Sequence, residues 1–226
     1  MARRNRGPVE PWWVSKPHLL DEAREEVDAN HPLLRVEIQD GVYVVGVLLV
    51  HVDNEAVGSF PIVMGFPPDY PQSMPWVFES GDRIPKTLDR HVFTGSGVAC
   101  LIVPEEWQAA DDRSFHAFMA GPVRDYFLGQ LIYDEKGSFP HGERDHGTEG
   151  LIESYSEMIG IENEEIAVRR WLRCLTKRQL KGHFDCPCGS GIRLRDCCLS
   201  QVREVQSRIP PELAVRMLAR LNVVTG

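Results

Sequence analysis

Four cysteines stand close together in the run Cys186-Pro187-Cys188-Gly189-Ser190-Gly191-Ile192-Arg193-Leu194-Arg195-Asp196-Cys197-Cys198. No other stretch restricts the possible folds so sharply. Two thiols separated by a single residue and, further on, two adjacent thiols can serve one centre only if the chain between them doubles back. Gly189 and Gly191 remove the side chains that would obstruct such a turn. Four soft sulfur donors in a small module suit tetrahedral zinc, which supplies closing energy that so small a core lacks. The predicted ligands are Cys186, Cys188, Cys197 and Cys198, and the predicted cofactor is a structural Zn2+. His183 lies near enough in sequence to replace one of them, but with four cysteines it is not required. Unligated or disulfide-paired cysteines are the alternative.

The choice between metal and disulfide depends on compartment. The chain has 226 residues and six cysteines, with Cys100 and Cys174 standing apart from the cluster. No apolar run approaches bilayer length, and Met1-Ala2-Arg3-Arg4-Asn5-Arg6-Gly7 leads into no apolar signal segment. A cytoplasmic protein with no membrane partner is therefore expected, and its thiols should be reduced. A formal net charge of −8 argues against a general nucleic-acid binder, because phosphate recognition needs a concentrated basic face. The expected partner is a protein. A hydrophobic content of 42% supports a substantial core, and the length suits one domain with an appendage.

Periodicity organises the rest. Trp12 and Trp13 sit in a segment with too few periodic apolar positions for an element, read as an arm whose tryptophans pack on the domain. From His18, Leu19, Leu20, Ala23 and Val27 have helical spacing, and Asn30-His31-Pro32 ends that helix. Val36 and Ile38 precede Asp40-Gly41, and a β-branched run from Val42 to Val50 follows it, which predicts a hairpin. Val57 to Met64 predicts a third strand and Trp76-Val77-Phe78 a fourth. Ser114 is placed to cap a helix running to about Ile132, with Gly121-Pro122 as a kink or division within it. Asp134 to Gly150 is rich in charge, glycine and histidine and predicts a loop. Helical spacing returns over Leu151 to Gly160 and Glu162 to Lys181, where Cys174 lies on the apolar stripe. Short amphipathic helices are expected over Val202 to Ser207 and Pro211 to Leu221.

Between strands and helix lies Gly95-Ser96-Gly97-Val98-Ala99-Cys100-Leu101, a glycine-bearing turn that delivers Cys100 to the lip of a short apolar segment. Taken alone, this is either a reactive thiol or a small buried hydrophobe. Phe66-Pro67-Pro68-Asp69-Tyr70-Pro71-Gln72-Ser73-Met74-Pro75, then His91, Gly97, Cys100-Leu101 and Trp107, stand in an order that resembles the ubiquitin-conjugating enzyme family. In that family an F-P-x-x-Y-P-x-x-P-P loop, an H-P-N tripeptide, a catalytic cysteine and a tryptophan follow one another. Here Val92-Phe93 replace the family's proline and asparagine, the asparagine being the residue that holds the oxyanion loop. Likewise Cys-Pro-Cys-Gly-Ser-Gly followed by Cys-Cys resembles the SEC-C motif, whose four ligands carry over onto Cys186, Cys188, Cys197 and Cys198.

The resemblance implies an α+β fold: a meander sheet flanked by helices like that of ubiquitin-conjugating enzymes, with a small helical zinc-knuckle tail. The implied organisation is a flexible arm over residues 1–14, the conjugating-enzyme-like domain over 15–135, a loop and helical connector over 136–181, and the zinc module with its C-terminal helices over 182–226. It implies a bacterial relative whose Cys100 takes a ubiquitin-like modifier from an activating enzyme as a thioester and passes it to a protein target, with His91 as the second catalytic residue. In the family an acidic residue after the long helix helps deprotonate the incoming nucleophile, which makes Asp134, His141 and His146 candidates to approach Cys100; a solvated connector is the simpler account. Two alternatives stay open. One is an inactive scaffold of the RWD or conjugating-enzyme-variant kind, and the other is a zinc-dependent adaptor for protein or nucleic acid.

Overall fold

The computed structural model describes residues 10–139 and 147–224. In chain order the elements are α1 (Trp12–Ser15), α2 (Pro17–Asn30), β1 (Leu34–Ile38), β2 (Val42–Val52), β3 (Glu55–Gly65), β4 (Trp76–Glu79), α3 (Pro104–Ala109), α4 (Phe115–Phe118), α5 (Arg124–Lys136), α6 (Thr148–Ile159), α7 (Glu165–Leu175), α8 (Leu199–Arg208) and α9 (Pro211–Val224). The described residues form two compact units, 10–101 with 112–139 and 102–111 with 147–224.

The first unit is an α+β structure around a four-stranded antiparallel sheet in the order β1-β2-β3-β4. Alternation sets its inner face. Val42, Val44, Leu48 and Val50 on β2, Phe60, Ile62 and Met64 on β3, and Val77 on β4 are all buried. Gln39, Asp40 and Gly41 connect β1 to β2, with Ile38 paired to Val42. The β2–β3 turn is tighter. Val52 pairs with Glu55, and the two residues between them, Asp53 and Asn54, take left-handed φ of 50° and 67°. That turn type matches the twist of the flanking strands, and Asp and Asn tolerate it. The third strand therefore starts at Glu55, two residues ahead of the expected Val57.

Helix α2 begins at Pro17, where a missing N–H costs nothing, and buries Leu20, Ala23, Glu26 and Val27. Trp12 of α1 is also buried, 5.4 Å from the Phe66 ring and 5.0 Å from Tyr70. The expected cap at Ser114 is present: its Oγ accepts from the Ala117 N–H at 3.1 Å. Pro122 neither breaks nor divides the helix that follows. Residues 119–123 widen into a π turn, which accommodates the missing N–H, and the chain continues into α5. Phe127 of α5 stacks on Phe60 of the sheet at 4.7 Å.

The second unit is helical. Tyr155 and Ile159 of α6, Trp171, Leu172 and Leu175 of α7, and Val202, Leu213 and Met217 of α8 and α9 share one core, with Val103 and Ala109 packed against it. Within it Arg220 reaches Glu105 at 2.9 Å, and the Ser154 hydroxyl donates to Glu106 at 2.6 Å. Helix α7 stops at Leu175 instead of running to Lys181, because the Gln206 amide takes the Leu175 and Lys177 carbonyls at 3.0 and 2.9 Å. Those carbonyls then need no further helical turn to satisfy them. Among the described residues no helix is long and apolar enough to cross a membrane.

Candidate metal centre and the Cys100 loop

The cysteine knuckle is built by backbone hydrogen bonds that fold the run back on itself. Leu194 N–H reaches the Phe184 carbonyl at 2.8 Å, Cys186 N–H the Ile192 carbonyl at 3.1 Å, and Gly189 N–H the Cys186 carbonyl at 3.1 Å. Gly189 turns with φ of 81°, a conformation that side chains rarely adopt. A short 3-10 turn over Leu194–Asp196 then returns the chain to Cys197, and Cys198 stands at the start of α8. Leu194 is buried beneath and anchors the turn to the core.

As a result the sulfurs of Cys186, Cys188, Cys197 and Cys198 all lie within 4.8 Å of one another. Cys188 is 3.3 Å from Cys186 and 3.6 Å from Cys197, and Cys197 is 3.6 Å from Cys198. The four form no disulfide with one another. Their environments differ. The Ser190 hydroxyl and backbone, then Cys186, hold the Cys188 thiol down to about 6. Burial pushes Cys186 and Cys198 up. Thiolates this close repel one another without a cation, whereas a metal ion allows all four to ionise together. The donor set therefore fits a thiophilic metal ion, with every ligand from this one loop. His183 is exposed and not among the converging donors. Cys174 is half-buried against the same core, its thiol pushed up by burial and then by Cys186 nearby.

Cys100 is held differently. Beyond β4 the chain makes the 3-10 turn Leu88–Arg90, His91 takes a left-handed φ of 50°, and residues 92–99 double back. Val92 bridges Ala99, Phe93 N–H meets the Val98 carbonyl at 3.0 Å, and Cys100 N–H meets the His91 carbonyl at 2.7 Å. Ala99 N–H joins the loop to β4 through the Val77 carbonyl at 2.8 Å. Gly97, at φ of 74°, lies so close to the Phe78 ring that a Cβ there would stand 2.5 Å from it. The loop thus brings the backbones of His91 and Cys100 together and leaves the cysteine partly exposed. The His91 ring meets Phe139 edge to face at 5.0 Å.

A buried polar network carries this loop on α5. Arg90 is only 8% exposed, yet its Nε donates to Gln130 at 2.7 Å and its Nη2 to Asp134 at 2.6 Å. Gln130 Nε2 and the Tyr126 hydroxyl both donate to the Arg90 carbonyl, at 2.9 and 3.2 Å. Burial pushes the Tyr126 phenol well above its usual range, which keeps it a donor; Arg90 opposes that shift, and Cys100 and Glu79 add to it. Asp134 also pairs with Arg83 at 3.1 Å, so its carboxylate is committed to two guanidinium groups. That pairing departs from the expectation that Asp134 approaches Cys100 as a base. His141 and His146 lie outside the described residues. Sequence reasoning missed Arg83, Arg90 and Gln130; lone arginines and a glutamine on a mixed helix carry no periodic signal.

Trp107, the last residue of the ordered motif, is buried in α3, within the second unit. The class of protein that fold and site define is an α+β chain with a four-cysteine centre able to hold a metal ion. Comparison with known proteins finds no match among family models, curated proteins or solved structures.

Proposed function

We propose that this chain is a carrier for a ubiquitin-like protein, a member of the ubiquitin-conjugating class with a zinc-binding SEC-C-like tail. The observation that carries the reading is the Cys100 loop. It follows a helix and a four-stranded meander, is fastened by backbone bonds to β4 and to His91, and leaves Cys100 half-buried and not enclosed in the core. In the proposed reaction the Cys100 thiolate attacks the carbonyl carbon of the thioester that joins the modifier's C-terminus to an activating enzyme. The activating enzyme's thiolate leaves, and the modifier remains on Cys100 as a new thioester. A nucleophile on the target then attacks the same carbonyl, loses its proton to a base, and expels the Cys100 thiolate. Sulfur suits both steps because it attacks well and leaves well. His91, or a backbone N–H of its loop, would stabilise the developing oxyanion in place of the family's asparagine.

Zinc belongs to the same proposal as a structural ion. Cys186, Cys188, Cys197 and Cys198 would hold it, and its chemistry there is to close the knuckle. The test combines modifier, its activating enzyme and ATP with the chain, followed by electrophoresis with and without reductant. A reductant-sensitive adduct is expected. No adduct, or one that persists in Cys100→Ala, sinks the carrier reading. A non-catalytic scaffold is the second reading, favoured by Val92 following His91 and by the commitment of Asp134 to Arg83 and Arg90. Binding of a charged conjugating partner without any adduct would select it.

A further inference from the structure

We propose that Arg170 of α7 is the cationic partner of the four-cysteine centre, a positioning residue that stabilises the metal-loaded state by charge without being a ligand. This rests on the reading of the cluster as a metal centre. The geometry is a close approach. A Cβ built on Gly189 would stand 2.5 Å from Arg170 Nη1, 2.9 Å from Cζ and 3.1 Å from Nη2, so the guanidinium lies hard against the residue that follows Cys188. Arg170 Nε is buried and has no hydrogen-bond partner. One helical turn further along α7, Cys174 packs against the buried cluster that contains Cys186. Helix α7 therefore meets the knuckle through Arg170 at the glycine turn, and Cys174 shares the core in which Cys186 is buried.

Charge explains why an arginine belongs there. Four thiolates around a divalent cation leave a net negative centre, and Asp196, next to Cys197 in the chain, adds to it. Arg195 is drawn into an ion pair with Asp196 at 3.2 Å. A guanidinium stays protonated when thiolates are forming around it, and its flat face fits a glycine turn that admits no side chain. Partners outside the coordination sphere that orient ligands or offset their charge typically change metal affinity by about 10- to 100-fold. Gly189 then answers to two demands, its φ of 81° and the room that the guanidinium occupies.

The experiment uses the full chain loaded with Zn2+ or Co2+, titrated with a chromophoric chelator at neutral pH. Arg170→Gln keeps a planar polar end and removes the charge; it is expected to weaken metal affinity about 10- to 100-fold and to shift the Co2+ thiolate charge-transfer band. Arg170→Lys should recover most of that affinity. The apo forms of both variants should melt with the unaltered apo chain, since the effect lies in the loaded state. Arg170→Gln binding metal as tightly as the unaltered chain overturns the inference, and so does Arg170→Lys binding as weakly as Arg170→Gln. Failure of the unaltered chain to hold metal overturns the metal reading itself and the inference with it.

Discussion

Cys100 and the cysteines of the knuckle have the same side chain and opposite surroundings. Cys100 sits on a loop whose bonds to His91, Val77 and Phe93 are made by the backbone. In the knuckle each sulfur has another sulfur 3.3 to 3.6 Å away, and the Ser190 hydroxyl lies as close to Cys188 and Cys197. In the proposed carrier reaction a thiolate in the first setting would exchange acyl partners. In the second, four thiolates can ionise together only around a cation that holds them. Residue type thus says little; what surrounds the sulfur decides between transfer and retention.

The sharpest break in that comparison is Cys100 itself. Cys100→Ala should abolish the modifier adduct, and Cys100→Ser should abolish it or leave an ester that resists reductant, as gels run with and without thiol will read. Cys174→Ser, within the second unit's core, should load normally.

Metal removal is the next largest effect and should strike only the other cysteine region. Zinc contributes about 10–16 kcal/mol to zinc-finger peptides, so chelation should unfold residues 182–198 while the sheet keeps its amide protection by hydrogen exchange. Elemental analysis of fresh protein should find one bound metal ion per chain, and its absence would end the expectation.

His91→Ala tests whether the loop does more than position sulfur. If the His91 imidazole stabilises the oxyanion, discharge should slow by on the order of 10- to 1000-fold with loading little changed; an unchanged discharge rate would leave that part to a backbone N–H, which the substitution keeps. Equal slowing of both steps would assign His91 a purely structural part.

Gln130→Ala sharpens the comparison by loosening the support beneath Cys100 without touching sulfur. It strands the buried Arg90 Nε and one bond to the Arg90 carbonyl, which should cost about 1–3 kcal/mol in urea denaturation. Metal content should not change. The smallest effect separates the units by pH. Burial lowers the pKa of His31 from 6.5, with Glu26 opposing that shift. The folded chain therefore binds fewer protons there than the unfolded one, so stability falls as pH drops below 6.5 and is restored above it. His31→Gln should flatten that slope in the first unit and leave the knuckle's metal affinity unchanged.

Much of this was legible in residues because it is local. Alternation from Val42 to Val50 fixes which side chains face inward, Ser114 caps its helix with its own hydroxyl, and four cysteines with two glycines dictate a doubled-back turn. Asp53-Asn54 was legible in principle, since both residues tolerate left-handed φ, but it sits in a run whose third strand reads as starting at Val57. The length of α7 was not legible, because Gln206, 31 residues after Leu175, supplies the group that ends it.

By itself the sequence determined the strand pattern, the helical stripes and the set of four thiols, all products of near neighbours in the chain. Tertiary structure alone decided that Arg90 is buried on Gln130 and Asp134, that Asp134 is committed to two arginines, that Trp107 belongs to the helical unit, and that Arg170 covers Gly189. The physical reason is desolvation. A charged side chain enters the interior only where distant residues provide its partners, and no local pattern announces which residues those will be.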